Sequence, residues 1–185
     1  MKNSDFIVGK VPITKEEVRS ISISKLDLKN ADKFIDIGSG TGSVTVEAAL
    51  NYPKLKVASV EVNEDAYNLT KKNIEKFSLK NVVQKKDMAP IEIEGFDNVD
   101  AVFLGGTKNN LEEIIEWSYR TLKEGGKIVS NFILIDNFFM CRDILRDKGF
   151  KNIEVIQVSI SKAEKLGKGD YFKPQNPIFI LSGEK

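Results

Sequence analysis

A buried strand that runs straight into a glycine-rich turn and then a helix constrains this chain more than any other stretch. Residues 34–42 read Phe-Ile-Asp-Ile-Gly-Ser-Gly-Thr-Gly, and helical spacing begins at Val44. Glycines let the backbone turn sharply there and let a ligand lie directly against it. A strand–turn–helix unit of this kind builds parallel sheet, since parallel strands need a crossover between them. The rest of the chain continues the alternation. Strand-like apolar runs fall at residues 33–37, 56–62, 82–85, 99–104, 127–132, 153–161 and 178–181. Between them, apolar residues recur on single helical stripes: Ala66, Leu69, Ile74 and Phe77, then Leu111, Ile114, Ile115 and Leu122, then Phe138, Cys141, Ile144 and Leu145. The pattern predicts an α/β fold, a seven-stranded, mostly parallel sheet with helices on both faces. The last two strands have no helical pattern between them, so they are expected as an antiparallel edge hairpin closed by a long loop.

Helix ends carry their own signals. Asn63 is placed as an N-cap with Glu64 and Asp65 behind it, and Gly149 is placed to end the helix that holds Arg146 and Lys148. Thr14-Lys15-Glu16-Glu17 has the spacing of a capping box, which predicts a helix from there toward Lys25. A single domain over 1–185 is expected, with 1–30 as an N-terminal segment and helix and 31–185 as the core.

Composition removes whole classes of chemistry. The chain has 185 residues with 28 Lys and Arg against 27 Asp and Glu, so a net charge of +1 gives no long-range field to gather nucleic acid. It contains no histidine and one cysteine, Cys141, which excludes imidazole-based triads, an internal disulfide and a Cys/His metal cluster. Cys141 lies on a core-facing stripe and reads as packing, and Trp117, beside the stripe of its helix, reads as structural or interfacial. A lone thiol and the lack of a signal peptide or a long apolar run point to a cytoplasmic protein that does not enter a membrane.

Three acids follow successive strand ends, where ligands bind in open α/β sheets. Asp36 precedes the glycine turn, and its carboxylate would repel a phosphate but suit a cationic amino group. The third glycine of a dinucleotide fingerprint is also missing, because Ser43 holds that position. Glu61 ends the second strand, where it can accept both hydroxyls of a ribose. Asp87 follows the third strand and can accept from an adenine amino group while Met88 and Ala89 cover the ring. Singly, Glu61 also reads as a solvated strand end and Asp87 as a turn residue. Together the three fit S-adenosylmethionine, which carries an ammonium and a sulfonium and no phosphate.

With these residues in place the chain resembles the class I methyltransferases, whose Rossmann-like fold has the same strand count. More narrowly it resembles the decarboxylating cobalt-precorrin methyltransferases of cobalamin biosynthesis, the CbiT family. The likeness spans essentially the whole chain and includes Val11-Pro12-Ile13-Thr14-Lys15-Glu16-Glu17-Val18-Arg19, Phe103-Leu104-Gly105-Gly106-Thr107, Lys123-Glu124-Gly125-Gly126 and Gln175-Asn176-Pro177. Glu61 and Ser39 depart from the family's usual aspartate and cysteine but keep hydrogen-bonding capacity. The resemblance implies methylation of carbon 15 of a cobalt-precorrin with loss of carbon dioxide from the neighbouring acetate, in a homotetramer, with a separate precorrin methylase as functional companion. It also implies cofactor contacts at Thr14, Gly38, Ser39, Gly40, Thr41, Gly42, Glu61, Asp87, Met88 and Ala89, with Gly105, Gly106 and Thr107 bordering the reacting centre.

Methyl transfer from a sulfonium is an in-line displacement, and an electron-rich macrocycle carbon needs alignment more than a base. No catalytic residue is therefore expected. Gly105, Gly106, Thr107, Lys108 and Asn131 are expected to hold the tetrapyrrole. Lys162, Lys165, Lys168 and Lys173, in the loop before the last strand, are candidates for its carboxylates or else belong to a solvated loop. Tyr171 and Phe172 read equally as stacking residues, loop anchors or a subunit contact. Two other readings stay open: a class I methyltransferase for RNA or another small molecule, and a module that binds the cofactor without turnover.

Overall fold

The computed structural model describes residues 1–106 and 110–185. Their strands are β1 (Lys33–Ile37), β2 (Lys56–Val60), β3 (Val82–Lys85), β4 (Val99–Leu104), β5 (Leu122–Phe132), β6 (Lys151–Val158), β7 (Ser161–Leu166), β8 (Gly169–Pro174) and β9 (Ile178–Glu184). Their α-helices are α1 (Glu16–Leu26), α2 (Ser43–Asn51), α3 (Glu64–Lys76), α4 (Leu111–Thr121) and α5 (Ile135–Asp147). Seven strands form one sheet in the order β3-β2-β1-β4-β5-β9-β6. β1 to β5 run parallel to one another, and β9 is antiparallel to both β5 and β6. The mixed edge is thus where the missing helical pattern put it.

The inner strands are buried on both faces, which is why they read as almost continuous apolar runs. Alternate residues feed two cores. Ile35, Ile37, Val102, Leu104 and Ile128 pack with α4 and α5 through Ile114, Ile115, Phe138, Cys141 and Leu145. Phe34, Val57, Ala101, Phe103 and Val129 pack with α1 and α2 through Val18, Ile23, Leu26, Val44 and Ala48. Cys141 is buried against Ser130, and burial pushes its thiol pKa up to about 12, as suits a packing residue. Trp117 packs partly buried against the same core.

Several expectations need correction. The long loop before the last strand is a second, two-stranded sheet, the hairpin β7–β8. Its residues are almost all exposed, so it buries no alternating face and leaves no period for the eye to find. β2 stops at Val60, and Leu122 opens β5 instead of continuing the stripe of α4. The capping box does not form. Lys15 is the N-cap of α1 and accepts no side-chain cap bond, while the carboxylate of Glu17, which would close the box, pairs with Lys162 at 2.7 Å. Asn63 does cap α3, accepting from the Ala66 amide at 3.0 Å, and Gly149 follows α5 with φ +89°. Among the described residues no helix is long and apolar enough to cross a membrane.

Because Leu55 is fully buried between α2 and the sheet edge while Lys54 is exposed, the two neighbours should respond very differently to truncation. Leu55→Ala is expected to cost about 2–5 kcal/mol in urea unfolding, and Lys54→Ala to stay within about 0.5 kcal/mol.

Candidate active site

The strand order reverses between β1 and β4, and a cleft opens at their carboxyl ends, as it does wherever neighbouring crossovers diverge to opposite faces. Two turns meet there backbone to backbone. The Gly105 amide donates to the Ile37 carbonyl at 2.7 Å, and a Cβ on Gly105 would lie 2.4 Å from the Gly38 oxygen. No other residue type fits that place. At the far end of the glycine turn, Gly42 has φ +73°, and a Cβ there would meet the Thr70 methyl of α3 at 2.7 Å. The cleft has a volume of about 960 Å³.

Asp36, Gly38, Ser39, Gly40 and Glu61 line the cleft together with Thr14, and Gly105, Gly106 and Asn131 line it as well. Asp36 is essentially inaccessible to solvent, at 1%. Its Oδ2 accepts from the amide and hydroxyl of Thr45 at 3.0 and 2.5 Å, and its Oδ1 has no partner among the described residues. Burial pushes its pKa up to about 7 against the lowering effect of the Thr45 bonds, and the nearby carboxylate of Glu61 adds to the rise. The unpartnered oxygen is the acceptor that an ammonium group would satisfy.

Glu61 has a role that its position in the sequence did not reveal. Oε2 accepts from the Gly40 amide at 2.9 Å and Oε1 from the Asn63 amide at 2.8 Å, so the carboxylate ties the glycine turn to the start of α3. Each oxygen keeps a second acceptor direction for a ligand hydroxyl. Asn131, at the end of β5, is held by the hydroxyl of Ser22 on α1 at 2.9 Å.

Other expected residues lie elsewhere. Thr41 and Gly42 do not line the cleft: Thr41 is buried with its carbonyl bonded to Asn73 at 2.9 Å, and Gly42 is spent on helix packing. Asp87, Met88 and Ala89 are also absent from the lining. Asp87 accepts from the Met88 amide at 2.8 Å, Met88 is exposed, and Ala89 packs into the core. Thr107 and Lys108 lie outside the described residues. None of Lys162, Lys165, Lys168 and Lys173 reaches the cleft, and three are paired on the surface: Lys162 with Glu17, Lys165 with Asp170, Lys173 with Glu164. Tyr171 and Phe172 sit on the exposed hairpin, away from the lining.

The lining instead includes Lys10, Lys15 and Lys72, with Lys15 bonded to Gln175 at 2.7 Å. It also includes the segment from Gly9 to Thr14 and, opposite, Gln175 and Asn176. Parts of both segments stand out in the sequence only as likenesses to a family, because their backbone and neutral side chains announce no chemistry by themselves.

Known proteins resemble this chain over nearly its whole length. The model of a family described as "Precorrin methyltransferase domain" matches residues 7–185. A Salmonella typhimurium protein named cobalt-precorrin-6B C(15)-methyltransferase (decarboxylating) is 40% identical, over 100% of this chain and 96% of its own. A Sulfurisphaera tokodaii protein named "Probable cobalt-precorrin-6B C(15)-methyltransferase (decarboxylating)" is 48% identical over 99% of this chain and 96% of its own. The crystal structure of precorrin-6y C5,15-methyltransferase from Geobacter metallireducens superposes with a TM-score of 0.92 at 33% identity, covering 100% of this chain and 97% of the other.

The raised Asp36 pKa has a definite sign. In the unliganded protein the ionised form is disfavoured, so the fold loses stability as pH rises from the ordinary carboxylate range through about 7, and a cation at Oδ1 reverses that loss. Calorimetry with S-adenosylhomocysteine, the demethylated form of the expected cofactor, should show affinity rising with pH up to about 7 and levelling above it, until the ligand's own ammonium deprotonates. Asp36→Ala should weaken binding by about 1–3 kcal/mol and abolish the rise.

Proposed function

The chain belongs to the precorrin methyltransferase family, and on that premise we propose that it methylates carbon 15 of a cobalt-precorrin from S-adenosylmethionine and decarboxylates the adjacent acetate side chain in cobalamin biosynthesis. The observation that carries the reading is the buried Oδ1 of Asp36, unpartnered among the described residues, on the wall of a cleft at the switch point of the sheet. When bound, S-adenosylmethionine supplies a methyl group activated by its sulfonium.

The chain's own residues bind and orient. Asp36 accepts from the ammonium of the cofactor, and the free acceptor directions of Glu61 take the ribose hydroxyls. The backbone of Gly38 and Gly40 admits the cofactor closely, Ser39 and Thr14 border it, and Thr41 and Gly42 shape the turn from behind. Asp87 and Met88, exposed beyond the end of β3, take the adenine edge, with Ala89 packed into the core beneath them. Gly105 and Gly106 face the reacting carbon, Asn131 is held toward it by Ser22, and Thr107 and Lys108, next in the chain, are assigned to the same substrate. The acids lining the cleft are Asp36, Glu61 and Asp65, and the first two are committed to the cofactor and to the glycine turn. Rate enhancement therefore comes from alignment and exclusion of water. Lys10, Lys15 and Lys72 are the cations that meet the peripheral carboxylates of the tetrapyrrole.

The same reading covers the assembly. One domain spans 1–185, and four copies associate as a homotetramer, for which the exposed Leu166 and Phe172 of the β7–β8 hairpin offer apolar surface. The enzyme works in the cytoplasm alongside a separate precorrin methylase, and neither nucleic acid nor a membrane is a partner.

Incubation with a cobalt-precorrin and S-adenosylmethionine tests the reaction. Mass spectrometry should show a product with one methyl gained and one carbon dioxide lost. Cofactor that stays bound and unconsumed would identify a binding module and overturn the proposal.

A further inference from the structure

One wall of the cleft is a strap of chain, residues 8–13, which crosses the glycine turn. The Pro12 carbonyl lies 3.5 Å, and a Val11 methyl 3.7 Å, from where a Cβ on Gly40 would be. Val11, Pro12 and Ile13 line the cleft beside that turn, together with Asp36 and Glu61 of the strand ends. These residues belong to neither helix nor strand, so nothing in the strap's own secondary structure fixes its position.

Two fully buried polar side chains fix it from outside. At its start, Asn73 of α3 receives the Ile7 amide at 2.8 Å and donates to the Ile7 carbonyl at 3.0 Å. The same amide nitrogen of Asn73 donates to the Thr41 carbonyl of the glycine turn at 2.9 Å, so one side chain clamps strap and turn together. At its end, Arg19 of α1 donates to the Thr14 carbonyl. Three more of its N–H donors go to Glu47 Oε2 of α2 at 2.6 Å, to Asn3 Oδ1 at 3.3 Å and to the Met1 carbonyl at 2.7 Å, while its guanidinium lies 4.8 Å from the Phe6 ring centroid. An arginine with no exposed surface cannot touch a ligand. Its planar fork is suited to gathering several acceptors in fixed directions, which a lysine cannot reproduce.

We propose that Arg19 and Asn73 are positioning residues that pin residues 8–13 across the glycine turn, making the strap the wall that retains S-adenosylmethionine. The inference rests on the cofactor assignment proposed for this cleft, and it gives that site a retaining element whose strength is set by residues that never meet the ligand. Release of the Arg19 anchor frees the strap without touching Asp36, Glu61 or the glycine turn, whereas Asn73 also holds the Thr41 carbonyl, so its release loosens strap and turn together. Cofactor affinity then falls while the chemical step, once the cleft is saturated, proceeds as before.

The test compares Arg19→Lys and Asn73→Leu with wild type and with Leu145→Ala, a core truncation of α5 on the opposite face of the sheet. Calorimetry with S-adenosylhomocysteine, limited trypsin cleavage after Lys10 and steady-state kinetics are read in each. Both anchor variants should bind about tenfold or more weakly and be cut about tenfold faster at Lys10, with kcat at saturation within about threefold of wild type. Saturating ligand should protect Lys10 in wild type. Leu145→Ala should lose thermal stability yet keep its affinity within about twofold. Wild-type affinity in an anchor variant whose strap is cut rapidly would overturn the proposal, and so would an equal loss of affinity in Leu145→Ala. Failure of the wild type itself to bind would overturn the cofactor assignment, and the strap's role with it.

Discussion

Everything at the functional end of this molecule depends on two backbones touching. At the tips of β1 and β4 the amide of Gly105 bonds the carbonyl of Ile37, with no room for a side chain between the turns. That contact lets two crossovers leave in opposite directions from adjacent strands, and the cleft is the space they vacate. Asp36, one residue before the end of β1, is carried to the base of that space by strand geometry alone. The cost is a carboxylate taken almost wholly out of water with one oxygen unbonded among the described residues. Such a group is a standing penalty in the empty protein and a source of affinity once a cation arrives.

The glycine turn is then secured from three sides. Thr70 bonds the Gly40 carbonyl at 2.8 Å, Glu61 receives the Gly40 amide, and Asn73 bonds the Thr41 carbonyl. All three securing side chains come from the end of β2 and from α3, the elements that follow the turn's own helix in the chain. The turn is therefore held in place by hydrogen bonds from elements outside it. The cleft's other wall, the strap, owes its place to buried polar anchors.

How much of this was legible in the sequence follows from where side-chain periodicity exists. The inner strands and the stripes of α4 and α5 face two packed cores, and their apolar spacing predicts both the fold class and the antiparallel edge. The β7–β8 hairpin buries almost nothing, so its residues read as a polar loop. Thr14 and Glu17 have capping-box spacing, yet Glu17 is drawn to Lys162 on the hairpin and the Thr14 carbonyl to Arg19, competitors that are remote or unmarked in the local pattern. Asp36 and Glu61 were visible because they stand at the ends of the two strands that flank the glycine turn, while the same rule fails for Asp87, which does not line the cleft. Arg19 and Asn73 were not, since a charged or amide residue on a helix reads as solvent-facing until a second segment is folded over it. The lysines show the same limit: their number in a stretch says nothing about which face they occupy, and the cleft draws Lys10, Lys15 and Lys72 from two other places.

The central claim is that the bare oxygen of Asp36 exists to meet the ammonium of a sulfonium nucleoside lying beneath the strap. A crystal structure with S-adenosylhomocysteine tests it most directly. The account predicts the amino nitrogen within hydrogen-bonding distance of Asp36 Oδ1 and the ribose beside Glu61. A ligand seated elsewhere, or one that leaves Oδ1 facing an apolar group, would contradict it.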